Sequence, residues 1–269
     1  MKKTLVLILL ASLAFTGCKK KEKNNNPFFN KYNTPFEVPP FEQIKAGHFM
    51  PAFLKGFEEQ KNEIKAIINN PKEPTFDNTI KAFEYSGQLL QKVRSVFGAL
   101  NSANTNDSLQ TINRELSPIA SKHNDDINLN DTLFRRIKSV YENKDKFKLT
   151  EEEKKVLDDT YKDFVRSGAK LSPEDKDKLR KINGELSLLS VRFGQNLLAE
   201  TNGFNLVIDK TEDLSGLPEG VITRAAIMAK SLKMYGNWAF SLTVPSMTPF
   251  LQSPDLRAPH TNVFNWLFT

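Results

Sequence analysis

Between Phe49 and Leu197 the large apolar residues return at steps of three, four and seven, in one segment after another, and this spacing constrains the fold more than any single motif. A helix with one apolar face gains little in water by itself, so segments of this kind must lay their faces against one another. Phe49, Phe53, Phe57, Ile64 and Ile67/Ile68 predict a helix over about 50–69, with Pro51 tolerated in its first turn and "PKEP" closing it. Phe76, Ile80, Phe83, Gly87, Leu90, Phe97 and Leu100 predict one buried stripe on a second long helix, where the small Gly87 lets a neighbour come close.

Two more helices are predicted over about 108–128 and 131–143. Thr150 with Glu153 reads as a capping box, and Ser172 before Pro173 as a cap followed by a first-position proline. Behind Ser172, the residues Leu179, Ile182, Leu186, Leu189, Phe193 and Leu197 make a continuous apolar face. Short turns between these helices argue an antiparallel helical array. Upstream, the four prolines over 27–40 predict an extended strap that presses Phe28, Phe29, Tyr32 and Phe36 onto the body.

After about residue 201 the period changes. Phe204, Leu206 and Ile208 alternate with polar residues, "LPEGVITRAAIMAKSLK" returns to helical spacing, and Trp238, Phe240, Leu242 and Val244 alternate again. The fold class read from the sequence is therefore mostly α, an antiparallel helical array with a small β element near the C-terminus.

The first residues follow a different logic. Lys2 and Lys3 precede the apolar run "TLVLILLASLAF", and "TGC" follows, which is the layout of a secretory signal over residues 1–17. The run is too short for a permanent membrane span. Cys18 is the only cysteine, so no intrachain disulfide can form, and "FTGC" places it as the lipidated cysteine of a bacterial lipoprotein. Phe15 departs from the commoner aliphatic there, and a secreted protein with a free thiol is the alternative. Residues 18–35, which include "KKKEKNNNP", read as a polar tether and strap between the lipid anchor and the body. The expected place is the bacterial cell envelope, on the periplasmic side or the cell surface, and the expected state is a monomer held to the membrane through Cys18.

The residues for chemistry are few. The three histidines, His48, His123 and His260, include no His-Glu-x-x-His pair for zinc. His48 reads as a capping or packing residue, and His123 with Asp125 and Asp126 as a solvated helix-surface cluster. No serine sits in a Gly-x-Ser-x-Gly elbow, and no glycine loop would cradle phosphate. The formal charge of +6 comes with interleaved Lys and Glu/Asp, and loss of residues 1–17 would take two of those charges, so nucleic acid is not expected as a partner.

Taken in order, "GHFMPAFLKGFEEQ", "EPTFDNTIKAFEYSGQLLQKVRSVFGAL", "ELSPIASKHNDDI", "LFRRIKSVYE", "LSPEDKDKLRKINGELSLLSVRFGQNLLAET", "LSGLPE" and "GNWAFSLTVPSMTPFL" resemble the amino-terminal half of the thimet oligopeptidase family of zinc metallopeptidases, nearest its bacterial peptidyl-dipeptidase and oligopeptidase A branch. The resemblance implies a two-lobed helical protein with a deep channel that admits short peptides. It implies residues 36–200 as the helical amino-terminal domain and 201–257 as the start of the α+β portion of the peptidase domain. It also implies zinc, held in the family's carboxy-terminal half by a His-Glu-x-x-His helix and a further Glu, with the helix's glutamate taking a proton from water. No residue of this sequence matches that motif, so no catalytic and no metal position carries over.

Residues 258–269, "APHTNVFNWLFT", do not continue the family pattern after "SPDLR", and an out-of-frame or truncated tail is expected there. The implied function is the amino-terminal portion of a zinc-dependent oligopeptidase or peptidyl-dipeptidase, inactive alone. The alternative is a non-catalytic, peptide-binding envelope lipoprotein.

Overall fold

The computed structural model describes residues 25–252. The signal segment 1–17, Cys18 and the tail 258–269 lie outside the described residues. The chain divides into two compact units, the first running to Gly184 and the second beginning at Glu185.

In the first unit five helices follow one another: α1 (Ala46–Ile68), α2 (Gln88–Ala103), α3 (Asp107–Asn128), α4 (Asp131–Glu142) and α5 (Glu151–Arg166). α1 runs antiparallel to α2, and α4 to α5. Phe49 near the start of α1 meets Phe97 of α2 at 5.1 Å, while Gln60 further along reaches Ser86 just before α2. Phe134 early in α4 stacks at 6.4 Å on Phe164 late in α5, and Tyr141 at the other end stacks at 3.9 Å on Tyr161.

The predicted first helix begins four residues earlier than the spacing indicates, at Ala46. His48 explains the early start, because its Nδ1 accepts from the Lys45 N–H at 3.0 Å and satisfies a donor that the helix start leaves open. Pro51 consequently lies in the second turn, where it has no N–H to return to the Gly47 carbonyl. The buried residues of α1 serve two cores in succession. Phe49, Phe53 and Phe57 pack with Phe28, Val93 and Phe97, and Ile64 and Ile67 pack with Phe76, Ile80, Leu133, Ile137 and Leu157.

The second long helix of the sequence reading is broken in the structure. A π-helical turn, Phe76–Lys81, runs into a short stretch, Ala82–Glu84, and a turn follows before α2. Gly87 makes that turn at φ +73°, a conformation glycine adopts at no steric cost, and its N–H donates to Glu63 Oε2 at 2.7 Å. The expected close approach is present at Gly87, where an added Cβ would lie 2.6 Å from Gln60 Nε2, and a second one brings the helix backbones together at Gly56, where it would lie 2.9 Å from the Leu90 Cα. Arg136 is buried and closes the α1-to-π-turn connection, donating to the carbonyls of Asn70 and Lys72 and to Asn78 Oδ1.

The strap holds Phe28 and Tyr32 in the core, and Lys92 lies over the Tyr32 ring at 3.7 Å. Phe36 departs from the expectation. It sits in a 3-10 turn at φ +56°, its ring 99% exposed, because the turn carries it away from the body.

Both predicted caps form. Thr150 and Glu153 exchange hydrogen bonds at the start of α5, and Ser172 Oγ accepts from the Asp175 N–H at the start of α6 (Pro173–Gly203). The apolar face of α6 is present but uncovered, with Ile182, Leu186, Leu189, Phe193 and Leu197 all 56–70% exposed.

In the second unit β1 (Leu206–Ile208) pairs antiparallel with β2 (Trp238–Phe240), Val207 opposite Ala239. Between them α7 (Glu219–Ser231) buries Val221, Ala225 and Ala229, a narrow stripe of which Val221 and Ala225 share a core with Ile208, Leu214 and Phe240. The predicted second strand stops short of Val244, which opens α8 (Val244–Leu251). Pro245 supplies the reason: it has no N–H for a strand ladder and a φ suited to the first helical turn.

Candidate functional site

The polar chemistry of the first unit concentrates where α3 ends and α4 begins. Asn130 turns the chain there, its Oδ1 accepting from the Thr132 and Leu133 N–H groups. Three residues on one face of α6, spaced four and three apart, fasten to this corner. Lys176 is buried, pairing with Asp131 at 2.6 Å and donating to the Leu129 carbonyl at 3.2 Å. A buried ammonium needs both partners, since each open donor would otherwise lose its water. Arg180 pairs with Asp126 at 2.9 Å, and Asn183 donates to Asp125 Oδ1 at 2.7 Å.

The two adjacent carboxylates are driven apart. Burial pushes the Asp125 carboxyl above its ordinary value, opposed by the Asn183 hydrogen bond. Burial acts on Asp126 in the same direction, but Lys122 at 2.6 Å and Arg180 outweigh it and hold that carboxyl below the usual range.

His123 faces α1. Its ring packs on Phe57 at 4.6 Å, and its Nε2 lies 2.7 Å from Gln60 Oε1. The Gln60 amide nitrogen lies 3.3 Å from Ser86 Oγ, so one side chain links His123 to the turn before α2. The solvated cluster expected at His123, Asp125 and Asp126 is thus half-built into the core, because Phe57 and Asn183 come to it from distant helices. Burial lowers the His123 pKa, with Asp126 opposing and Arg94, Lys61 and Lys122 assisting.

As pH falls through about 6.5 the unfolded chain takes up the His123 proton before the folded one, so the stability from the neutral ring is full above that pH and is lost on acidification through the folded value. His123→Gln should therefore flatten the fall in urea midpoint between about pH 7 and 5. Equal slopes for variant and parent would show that the ring titrates as in the free chain.

Next to His123 a cleft of about 550 Å³ opens between α1 and the end of α3. Lys61, Ile64, Lys65 and Ile68 form one wall, spaced as a single helical face. Asp126 and Ile127 stand opposite, and Arg180 lies at the edge. Among the described residues no group of three His, Cys, Asp or Glu could hold a metal ion. His48 takes the capping role read from the sequence, and Cys18 and His260 lie outside the described residues. The ordered cations Lys176 and Arg180 were not legible as site residues, because their partners lie 45 and 54 residues away.

No family model matches the chain. The chain is 36% identical over 239 residues to the dipeptidyl carboxypeptidase of Escherichia coli (strain K12), covering 89% of this chain and 35% of that protein. It is 27% identical to oligopeptidase A of Haemophilus influenzae and 24% identical to oligopeptidase A of Escherichia coli, over 87% and 85% of this chain. The chain spans about a third of the length of each of these relatives.

Proposed function

The chain is a homologue of the dipeptidyl carboxypeptidases and oligopeptidases A of the thimet oligopeptidase family, and on that premise we propose that it is the non-catalytic helical part of a peptidase acting on short peptides. The observation that carries this reading is the similarity to a dipeptidyl carboxypeptidase across nine-tenths of the chain. The uncovered apolar face of α6 supports it, since five large side chains exposed on one helix suit a surface that further peptidase polypeptide covers. The described residues do not fit a zinc site, and this reading assigns the family's zinc to the catalytic part and no hydrolysis to the chain alone. Its own contribution is binding and exclusion, with helices that limit which peptides reach the catalytic part. Lipidation at Cys18 would hold a monomer at the bacterial envelope.

The test is a chimera in which this chain replaces the matched third of the Escherichia coli dipeptidyl carboxypeptidase. The chimera should release dipeptide from acetyl-trialanine within about tenfold of the parent rate, a barrier change near 1.4 kcal/mol, and lose that activity to a chelator. The chain alone should release none. Hydrolysis by the chain alone, or a folded chimera without activity, would overturn the proposal.

A further inference from the structure

The cleft between α1 and α3 has a charge balance that its own residues do not close. Both of its aspartates are already engaged, Asp126 by Lys122 and Arg180, and Asp131 by Lys176. Lys61 and Lys65 stand one turn apart on the facing wall, and no ion pair is made to either among the described residues. Two ammonium groups are therefore in surplus. Between and below them lie Ile64 and Ile127, both buried, and the partly buried Ile68. Two ammonium groups one turn apart, with isoleucine side chains beside them, attract an anion more than a single surface lysine does. An inorganic anion would leave the isoleucines unmatched. A purely apolar ligand would leave the lysines unmatched.

We propose that this cleft is a binding site for an aliphatic carboxylate, and specifically for the free C-terminus of a peptide ending in an aliphatic residue, its carboxylate between Lys61 and Lys65 and its side chain on Ile68. The inference rests on the peptide reading above and adds to it a docking point on the helical part. Lys65 also lies in the last turn of α1, where a cation favours the helix end. That role would appear in the melting temperature and not in ligand binding.

The experiment uses the full chain and acetyl-Ala-Ala-Leu with a free carboxylate, titrated by calorimetry and by the proton resonances of His123, identified by their loss in His123→Gln. A carboxylate beside the lysines should raise the His123 pKa on binding, because it offsets the Lys61 charge that opposes protonation. The C-terminal amide of the same peptide should bind at least about tenfold more weakly, and so should the free acid to Lys61→Glu/Lys65→Glu. Both lysines are exposed, so that variant should stay folded, and a lower melting temperature would report only the charge lost from the end of α1. Equal binding of acid and amide, an unchanged double variant, or acetate competing as well as the peptide would each overturn the site. Octanoate binding without the peptide would assign the cleft to fatty acids and overturn the peptide source. Binding is read without hydrolysis, so an inactive chimera would remove the peptidase reading while leaving this result standing.

Discussion

Phe49→Ala should lower the stability of the first unit by about 3–5 kcal/mol, the range for emptying a well-packed aromatic site. Phe49 is 1% exposed, and its ring meets Phe28 at 5.3 Å and Phe97 at 5.1 Å, so a truncated side chain leaves a hole walled by the strap, α1 and α2. The neighbours cannot collapse easily into it. Phe97 is also held edge-on by Phe53 at 5.5 Å, and α1 is pinned against α2 by Gly56 on Leu90. The measurement is the urea midpoint of the helical circular dichroism signal for Phe49→Ala beside Phe36→Ala. The second variant removes a fully exposed ring and should stay within about 0.5 kcal/mol of the parent. Equal effects at the two positions would mean that the strap is not packed as described.

Leu189→Glu with Phe193→Glu should do the reverse, leaving the chain alone nearly unchanged and disabling the two-part protein. In the chain both side chains are more than half exposed, so their loss removes little packing. In the chimera each would be buried against the catalytic part, where a Leu or Phe contributes about 1.5–3 kcal/mol, and a buried carboxylate adds its own desolvation cost. Peptide release by the chimera should then fall by more than about a hundredfold, as docking of its two parts is weakened by roughly 3 kcal/mol. Undiminished activity would show that α6 faces water in the peptidase as well.

Local signals carried much of the fold. Thr150 with Glu153 and Ser172 with Pro173 mark helix starts through contacts three residues long, and the structure keeps both. The alternation at Trp238 and Phe240 marks a strand, and Pro245 marks where it cannot go on. The break at Gly87 was hidden by the helical period itself, because the π-turn and the turn after it restore the phase of the apolar stripe on either side. A glycine after Tyr85-Ser86 is the signal that could have found it, as a left-handed residue closing one helix before another. Exposure at Phe36 and along α6 was not legible either, since apolar identity says that a side chain should be covered and not by what. The cleft draws on α1, α3 and α6, whose partners are 45 to 63 residues apart, and no short window of sequence joins them.

The strap has a mechanical consequence. Traction on the chain upstream of residue 25 enters the body first at Asn26, which donates to the His48 carbonyl at 2.8 Å, and at Phe28. The next anchor is Lys92, whose ammonium donates to the Phe28 and Asn30 carbonyls at 3.2 and 2.6 Å. These attachments lie on α1 and α2, so a load passes straight into the aromatic core shared by those helices and bypasses the cleft at the far end of α1. A tethered molecule would be held by the aromatic core of α1 and α2, with the cleft unloaded.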